Sequence, residues 1–520
     1  MDAIVEALAS GNAADFFVDR NVREGRGSKI AFIDPARRLS YAELLAEGQK
    51  FAAGLKRAGV RREARIALLL LDTVDFPICF WGAIRAGVVP IPINTLLPAE
   101  LTAYILSDSR AELLVISADL LEALAPILPA LPYLRQVVVA GGREANSLAA
   151  FMAEGGGSPV APAGPVDAHP DEVAFWLYSS GSTNAPKGAK HLHGSLRATV
   201  ETYAAQVLKI RPDDVVYSAA KMFFAYGLGN AMSFPMSVGA TAILLPHRPT
   251  PAAVLALMRA HEPTIFCGVP TLYASMLQHP EIGAGAGSGR LRRCISAGEA
   301  LPEHIGEEWK RVVGVDILDG IGSTEMLHIF LSNTDEKLKY GTSGVAVPGY
   351  ELRVVDAAGE DVADGEPGEL LVRGDSAAEG YWNQRQKTRR AFVGEWTWTG
   401  DKYIRDADGF YRYCGRTDDM FKVSGIWVSP FEVEGALASH EKVLEAAVVG
   451  HEDADGLVKP RAFVVLKDGA VASDELVAAL QAFVKQKIGP WKYPRWVEIV
   501  EELPKTATGK IQRFKLRAVA

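Results

Sequence analysis

The 520-residue sequence predicts an α/β protein with a large N-terminal part and a small C-terminal α+β domain. Three observations carry that expectation. Helix-like and strand-like segments alternate through most of the chain, the pattern of α/β layers with largely parallel sheets. Beyond residue 340 the texture changes to short β-prone runs separated by turn signals, a small β-rich unit. After Arg416 helices and strands return over about 100 residues, enough for one compact domain.

The elements follow in order. Residues 41–58, YAELLAEGQKFAAGLKRA, put apolar groups at helical spacing, and 65–71, RIALLLL, read as a buried strand. Residues 111–117 and 135–140 give further short strands. The Gly/Pro/Ala-rich stretch 154–170 reads as a linker. Residues 173–178 are a buried-strand run, and a helix is expected beyond His193. Residues 351–355, 369–372 and 410–414 read as strands, with Asp408-Gly409 as a turn. The last part reads as helix 430–440, strands 446–449 and 461–466, and helix 474–489.

Composition narrows the function. Apolar residues make up 48% and charged residues 23%, as in ordinary globular proteins. The 55 Lys+Arg against 63 Asp+Glu give a net charge of −8, which lacks the footprint of a dedicated nucleic-acid binder. Four scattered cysteines without CxxC spacing fit a reducing cytosol, so a cytoplasmic location is expected. The opening residues carry acids where a signal peptide needs bases. Residues 76–93, broken by Pro77, Arg85, Pro90 and Pro92, are too short and too interrupted to span a bilayer. His191 and His193 lack an evident third metal ligand.

The most informative segment is 173–188, VAFWLYSSGSTNAPKG. A buried-strand run is followed at once by Ser179, Ser180, Gly181, Ser182 and Thr183. Small residues after a strand expose backbone N–H groups to an anion, and the hydroxyls add donors. Lys187 adds a charge-assisted one. The spacing excludes a Walker A loop. The segment resembles the phosphate-binding signature of the adenylate-forming superfamily of acyl-CoA synthetases, adenylation domains and luciferases. It departs at Asn184, where glycine is usual; asparagine also tolerates a left-handed backbone.

Further segments resemble the same superfamily in its order. Residues 319–325, DGIGSTE, are similar to its Tyr-Gly-x-Thr-Glu motif, and 296–300, SAGEA, to the stretch lining the adenine. Thr399-Gly400-Asp401, then 411–425, YRYCGRTDDMFKVSG, and 504–510, PKTATGK, complete the set. Read alone, Glu325 is an acid capping a turn, Arg416 with Asp418 a surface ion pair, and Lys510 a solvated lysine near a terminus.

The resemblance implies a role for each position. Ser179 to Thr183 and Lys187 would hold the β/γ-phosphates of ATP. Ala297, Gly298 and Glu299 would line the adenine, and Asp319 and Gly320 would also belong to the ATP/AMP site. Thr324 would contact the α-phosphate and Glu325 would ligate Mg²⁺. Asp401 and Arg416 would hold the ribose. Lys510 would bridge the acid and the α-phosphate during adenylation. Asp418 would be the hinge, and Gly425 would lie near coenzyme A after a domain rotation. The implied architecture is an N-terminal domain 1–416, of α/β subdomains plus a small β-barrel, and a mobile C-terminal domain 417–520.

The stretch 221–234, KMFFAYGLGNAMSF, is similar to that of benzoate-CoA ligases. By that resemblance Phe224, Ala225, Tyr226, His328 and Ile329 would form a slot for an aromatic ring, and Lys422 would hold the carboxylate. Phe223 and Phe234 read as ordinary core, and His328 alone would read as a structural histidine. Residues 218–229 contain no acid, so an α-amino acid substrate, whose ammonium needs a carboxylate, is disfavoured. For a hydroxybenzoate, His328 or Tyr226 could partner the phenol. The expected activity is AMP-forming ligation of an aromatic acid to coenzyme A. The alternatives are an adenylating enzyme that loads a carrier protein, favoured less because no carrier segment is present, and a non-catalytic relative. A lysine acetyltransferase acting on Lys510 is a further expectation, and the oligomeric state is monomer or homodimer.

Overall fold

A computed structural model describes residues 11–153, 164–179, 185–416, 419–423, 426–453, 457–505 and 511–519. The alternation read from the sequence resolves into two parallel-rich sheets. The first has four parallel strands in the order Val89–Pro92, Arg65–Leu69, Leu113–Ser117 and Gln136–Ala140. The second has nine strands. Its centre, from Ile30–Ile33 to Ile317–Gly322, is parallel, and antiparallel strands close both edges. Strands buried on both faces read as continuous apolar runs, which is why RIALLLL was legible.

Helix Tyr41–Arg57 starts at a reciprocal cap: the Glu43 N–H donates to the Ser40 hydroxyl, and the Glu43 carboxylate accepts from the Ser40 N–H. It packs on helix Asp75–Arg85. A Cβ on Gly82 would lie 2.8 Å from the Gly48 carbonyl oxygen, so the two backbones meet directly. Helix Asp75–Arg85 covers the first part of the apolar stretch 76–93, which the sequence marks as too short and too interrupted to span a bilayer. Its residues Phe76 to Arg85 are all buried, and Arg85 pairs with Asp19 at 2.7 Å. Among the described residues no helix is long and apolar enough to cross a membrane.

The β-rich unit is an antiparallel sheet of five strands: Glu351–Val355, Pro367–Arg373, Trp396–Arg405, Phe392–Val393 and Tyr411–Arg416. A smaller antiparallel sheet joins Val173–Ser179, Lys187–Leu192 and Gly380–Tyr381. Here the structure adds to the sequence reading. A strand, not only a loop, separates the small-residue run from the helix, and that helix begins at His193 itself.

The C-terminal part holds the ribbon Phe421–Val423 and Ile426–Val428 and the sheet Val443–Glu452, Val458–Leu466 and Trp496–Ile499. Helices Pro430–Ala438, Asp474–Ile488 and Arg513–Val519 pack around it. The last helix is clasped in place. Arg513 donates to both carboxylate oxygens of Glu434, at 3.0 and 2.7 Å, and Arg517 pairs with Asp419. Tyr413 meets Phe431 edge-on, with ring centroids 5.5 Å apart, where this part touches the β-rich unit.

Candidate active site

The hairpin Val173–Ser179/Lys187–Leu192 pairs Ser179 with Lys187 at the end where the chain connects the two strands. Ser180, Gly181, Ser182 and Thr183 lie in the connecting loop, outside the described residues. The Ser179 hydroxyl is buried with no partner among the described residues. Lys187 Nζ stands 3.9 Å from Glu325 Oε1 and donates to the Tyr381 hydroxyl at 3.1 Å. It also lies 4.3 Å from the Tyr381 ring centroid. Burial depresses the Lys187 pKa, and Glu325 pulls it the other way. The Tyr381 hydroxyl donates to Glu325 Oε1 at 2.7 Å.

Glu325 reaches this point from the turn between strands Ile317–Gly322 and Ile329–Ser332. Several features fix that turn. A Cβ on Gly322 would lie 2.4 Å from the His328 carbonyl oxygen. Leu327 takes a positive φ of 63°, the Met326 N–H donates to Ser323 Oγ, and the Ala378 N–H donates to the Glu325 carbonyl. Thr324 sits in the same turn, and its backbone lies beside the buried imidazole of His191. His191 stacks on Phe175 with ring centroids 5.0 Å apart, and burial lowers its pKa to about 4. Glu325 is one hard oxygen donor, and the described residues hold no cluster of three metal-binding side chains. That donor set fits Mg²⁺, which is usually bound by one or two carboxylates plus phosphates.

Asp401 and Arg416 face each other across neighbouring strands. Arg416 donates to Asp401 Oδ1 at 3.2 Å and to the Thr399 carbonyl at 2.9 Å. Arg416 thus pairs with Asp401; Asp418, its expected ion-pair partner, lies outside the described residues. Gly400 has a φ of +72°, and a Cβ there would lie 2.8 Å from the guanidinium. Next to this pair's sheet, Ser296 is in register with Asp319. Ala297 is buried, Gly298 has a φ of +97° and open space above it, and Glu299 is half-buried. Asp319 is 3% exposed and turned inward, and burial raises its pKa to about 8 against the Ser296 hydroxyl and the Leu301 and Gly320 amides. Gly320 has no room for a Cβ, which would lie 2.7 Å from the Leu331 carbonyl.

On the aryl side, Phe224 packs edge-on against Phe223 and precedes the short helix Ala225–Leu228. Phe223 and Phe234 are core, as expected. His328 is buried between Phe234, Tyr203 and Tyr226, at centroid distances of 4.4, 5.0 and 5.8 Å. Neither of its ring nitrogens makes a well-formed hydrogen bond among the described residues. Burial lowers its pKa to about 3, offset only in part by the Tyr226 backbone, so the ring is neutral. Ile329 is buried on the adjoining strand. The Tyr226 hydroxyl points to the carbonyls of Gly268 and Ile295, at 3.1 and 3.2 Å. Its proton is engaged there, which leaves it only as an acceptor for a substrate phenol.

Lys422 lies on strand Phe421–Val423, but its side chain is outside the described residues, as are Gly425 and Lys510. The residue that sequence reasoning missed is Tyr381. It lies on the two-residue strand Gly380–Tyr381, where Gly380 has a φ of +143°, and nothing in the local sequence marks its meeting with Glu325.

Comparisons with known proteins identify the family. Residues 18–382 match the AMP-binding enzyme family, and residues 432–510 match the AMP-binding enzyme C-terminal domain. The chain is 55% identical over 515 residues to a 4-hydroxybenzoate-CoA/benzoate-CoA ligase of Rhodopseudomonas palustris, covering 98% of this chain and 94% of that protein. It is 55% identical over 509 residues to a benzoate-CoA ligase of Thauera aromatica, covering 98% and 96%. The crystal structure of a benzoate CoA ligase from Burkholderia xenovorans superposes with a TM-score of 0.90 at 49% identity, covering 97% of this chain and 99% of that one. With hairpin, acidic turn and Asp-Arg pair in place and both parts of the chain matched, this protein belongs to the AMP-binding enzyme family.

Proposed function

We propose that this chain joins an aromatic carboxylic acid of the benzoate or 4-hydroxybenzoate type to coenzyme A. The product forms through an acyl-adenylate, with release of pyrophosphate and then AMP. The observation that carries the reading is the meeting of Lys187 and Glu325, from two distant motifs, 3.9 Å apart in a half-enclosed site. The relatives that share 55% of the sequence support the aryl acid and coenzyme A.

In the first half-reaction a carboxylate oxygen attacks the α-phosphorus of ATP and pyrophosphate leaves. Two anions must meet, so the work is positioning and charge compensation. Lys187 and the loop 179–183 hold the β/γ-phosphates, Thr324 contacts the α-phosphate, and Asp401 with Arg416 holds the ribose. Glu325 is the protein ligand for Mg²⁺, which when bound neutralises phosphate charge. Lys510 bridges the carboxylate and an α-phosphate oxygen. In the second half-reaction the coenzyme A thiolate attacks the acyl carbon, and the C–O bond to AMP breaks. The boundary between 1–416 and 417–520 lets the smaller part turn about Asp418, withdrawing Lys510 and bringing Gly425 to the thiol.

Neutral His328, whose ring nitrogens are unpaired among the described residues, suits a ligand hydroxyl better than Tyr226 does. Comparing kcat/KM for benzoate, its hydroxy and methyl derivatives and cyclohexanecarboxylate tests the slot; a preference for the saturated ring would reject it. Lys510→Ala should abolish adenylate formation and spare thioester formation from synthetic acyl-adenylate. Modification of Lys510 by a lysine acetyltransferase should give the same split, and equal loss of both steps would refute the division. A monomer or homodimer in the cytoplasm completes the reading. Sedimentation and fractionation test those points.

A further inference from the structure

Tyr381 belongs to none of the motif segments, yet its hydroxyl bonds both the phosphate lysine and Glu325 of the acidic turn. We infer that Tyr381 is a positioning residue for adenylation: it holds Glu325 aimed with one oxygen free for the cation and parks Lys187 beside it until nucleotide arrives. The inference rests on the roles given above to Lys187 and Glu325.

The geometry argues for it in three ways. First, an ammonium and a carboxylate about one-fifth exposed would close into direct contact if nothing stood between them, and each would cancel the charge the other needs. The Tyr381 hydroxyl takes that place. It donates to Glu325 Oε1 at 2.7 Å and accepts from Lys187 Nζ at 3.1 Å, while the charged atoms stay 3.9 Å apart. Second, only Oε1 is used. Glu325 Oε2 accepts no hydrogen bond among the described residues, so a hard cation meets an oxygen whose partner is already fixed. Third, the hydroxyl belongs to the scaffold. Tyr381 is 6% exposed, its N–H donates to Thr388 Oγ1 at 3.0 Å, its strand pairs with Ala189, and Phe392 packs on its ring at 5.5 Å. The ring face, 4.3 Å from Nζ, gives the parked ammonium a second weak contact that nucleotide phosphates outcompete.

Tyr381→Phe keeps the ring and removes only the bridging oxygen. Calorimetric binding of ATP with and without Mg²⁺ and the Mg²⁺ dependence of ATP–pyrophosphate exchange test it. The Kd for ATP in Mg²⁺ and the Mg²⁺ concentration at half-maximal exchange should each rise about tenfold, as for one hydrogen bond to a charged group. The KM for the aryl acid and thioester formation from synthetic acyl-adenylate should stay within about twofold, where a merely structural role would move all of them. An unchanged Mg²⁺ requirement in Tyr381→Phe, or equal losses in every parameter, would overturn the inference. Glu325→Gln separates the two levels. If it leaves the Mg²⁺ requirement unaltered, the role given to Glu325 fails and the inference with it. If it raises the requirement while Tyr381→Phe does not, only the inference about Tyr381 fails.

Discussion

Asp319 shows how far position alone sets a side chain's chemistry. The motif suggested a group presented to a nucleotide, but the carboxyl is turned into the core, where burial raises its pKa to about 8. The folded state therefore keeps a proton that the unfolded chain gives up above about pH 4. Stability must fall as pH rises from there to about 8, because the native state binds more protons throughout that window. Asp319→Asn, neutral at every pH, should show a flatter fall of thermal midpoint between pH 6 and 9 than the parent; parallel curves would contradict the buried proton. Lys187, Asp401 and Arg416 were legible in the sequence because each sits in a motif whose neighbours constrain it. Tyr381 was not. Its place depends on a short strand meeting the hairpin and the acidic turn, three segments whose proximity no local pattern encodes.

At the scale of elements, most strands and helices were legible because apolar runs and caps mark them, with ends differing by a few residues. The strand Lys187–Leu192 was not, since KGAKHL neither alternates nor runs apolar. It forms because partners flank it on both sides, Val173–Ser179 and Gly380–Tyr381, so pairing overrides propensity. The segment Gly229–Ser233 shows the reverse case, a composition that only contact explains. A Cβ on Gly229 would lie 2.4 Å from His328 Cδ2 and 3.0 Å from Phe234 Cζ. The glycine makes room for the imidazole. Gly229→Ala should therefore displace His328 and lower kcat/KM for the aryl acid by at least about tenfold, as small misplacements at a reacting site do. The KM for ATP should stay unchanged, and a common loss for both substrates would instead indicate a global disturbance.

For the whole molecule, three deeply buried histidines held neutral add to the sensitivity to acid. Burial lowers His191 and His193 to about 4 and His328 to about 3. The unfolded chain takes up these protons below about pH 6.5, so stability is lost as pH falls from there toward 4. His193 also accepts the Ala13 N–H on Nδ1 at 3.1 Å, a contact that protonation breaks. His191→Phe keeps the stack on Phe175 without a basic nitrogen and should move the acid midpoint of tryptophan fluorescence to lower pH; an unmoved midpoint would exclude that histidine as a cause. A different consequence follows from the clasp on the last helix. Arg517 reaches back 98 residues to Asp419, and Arg513 reaches 79 residues to Glu434. The closing helix is thereby fastened beside the point where the C-terminal part begins. A part tied end to end in this way should behave as a cassette: exchanged with that of a relative as one piece that includes Asp419, it should bring its own packing with it, and the face where Tyr413 meets Phe431 is among the contacts the graft has to match.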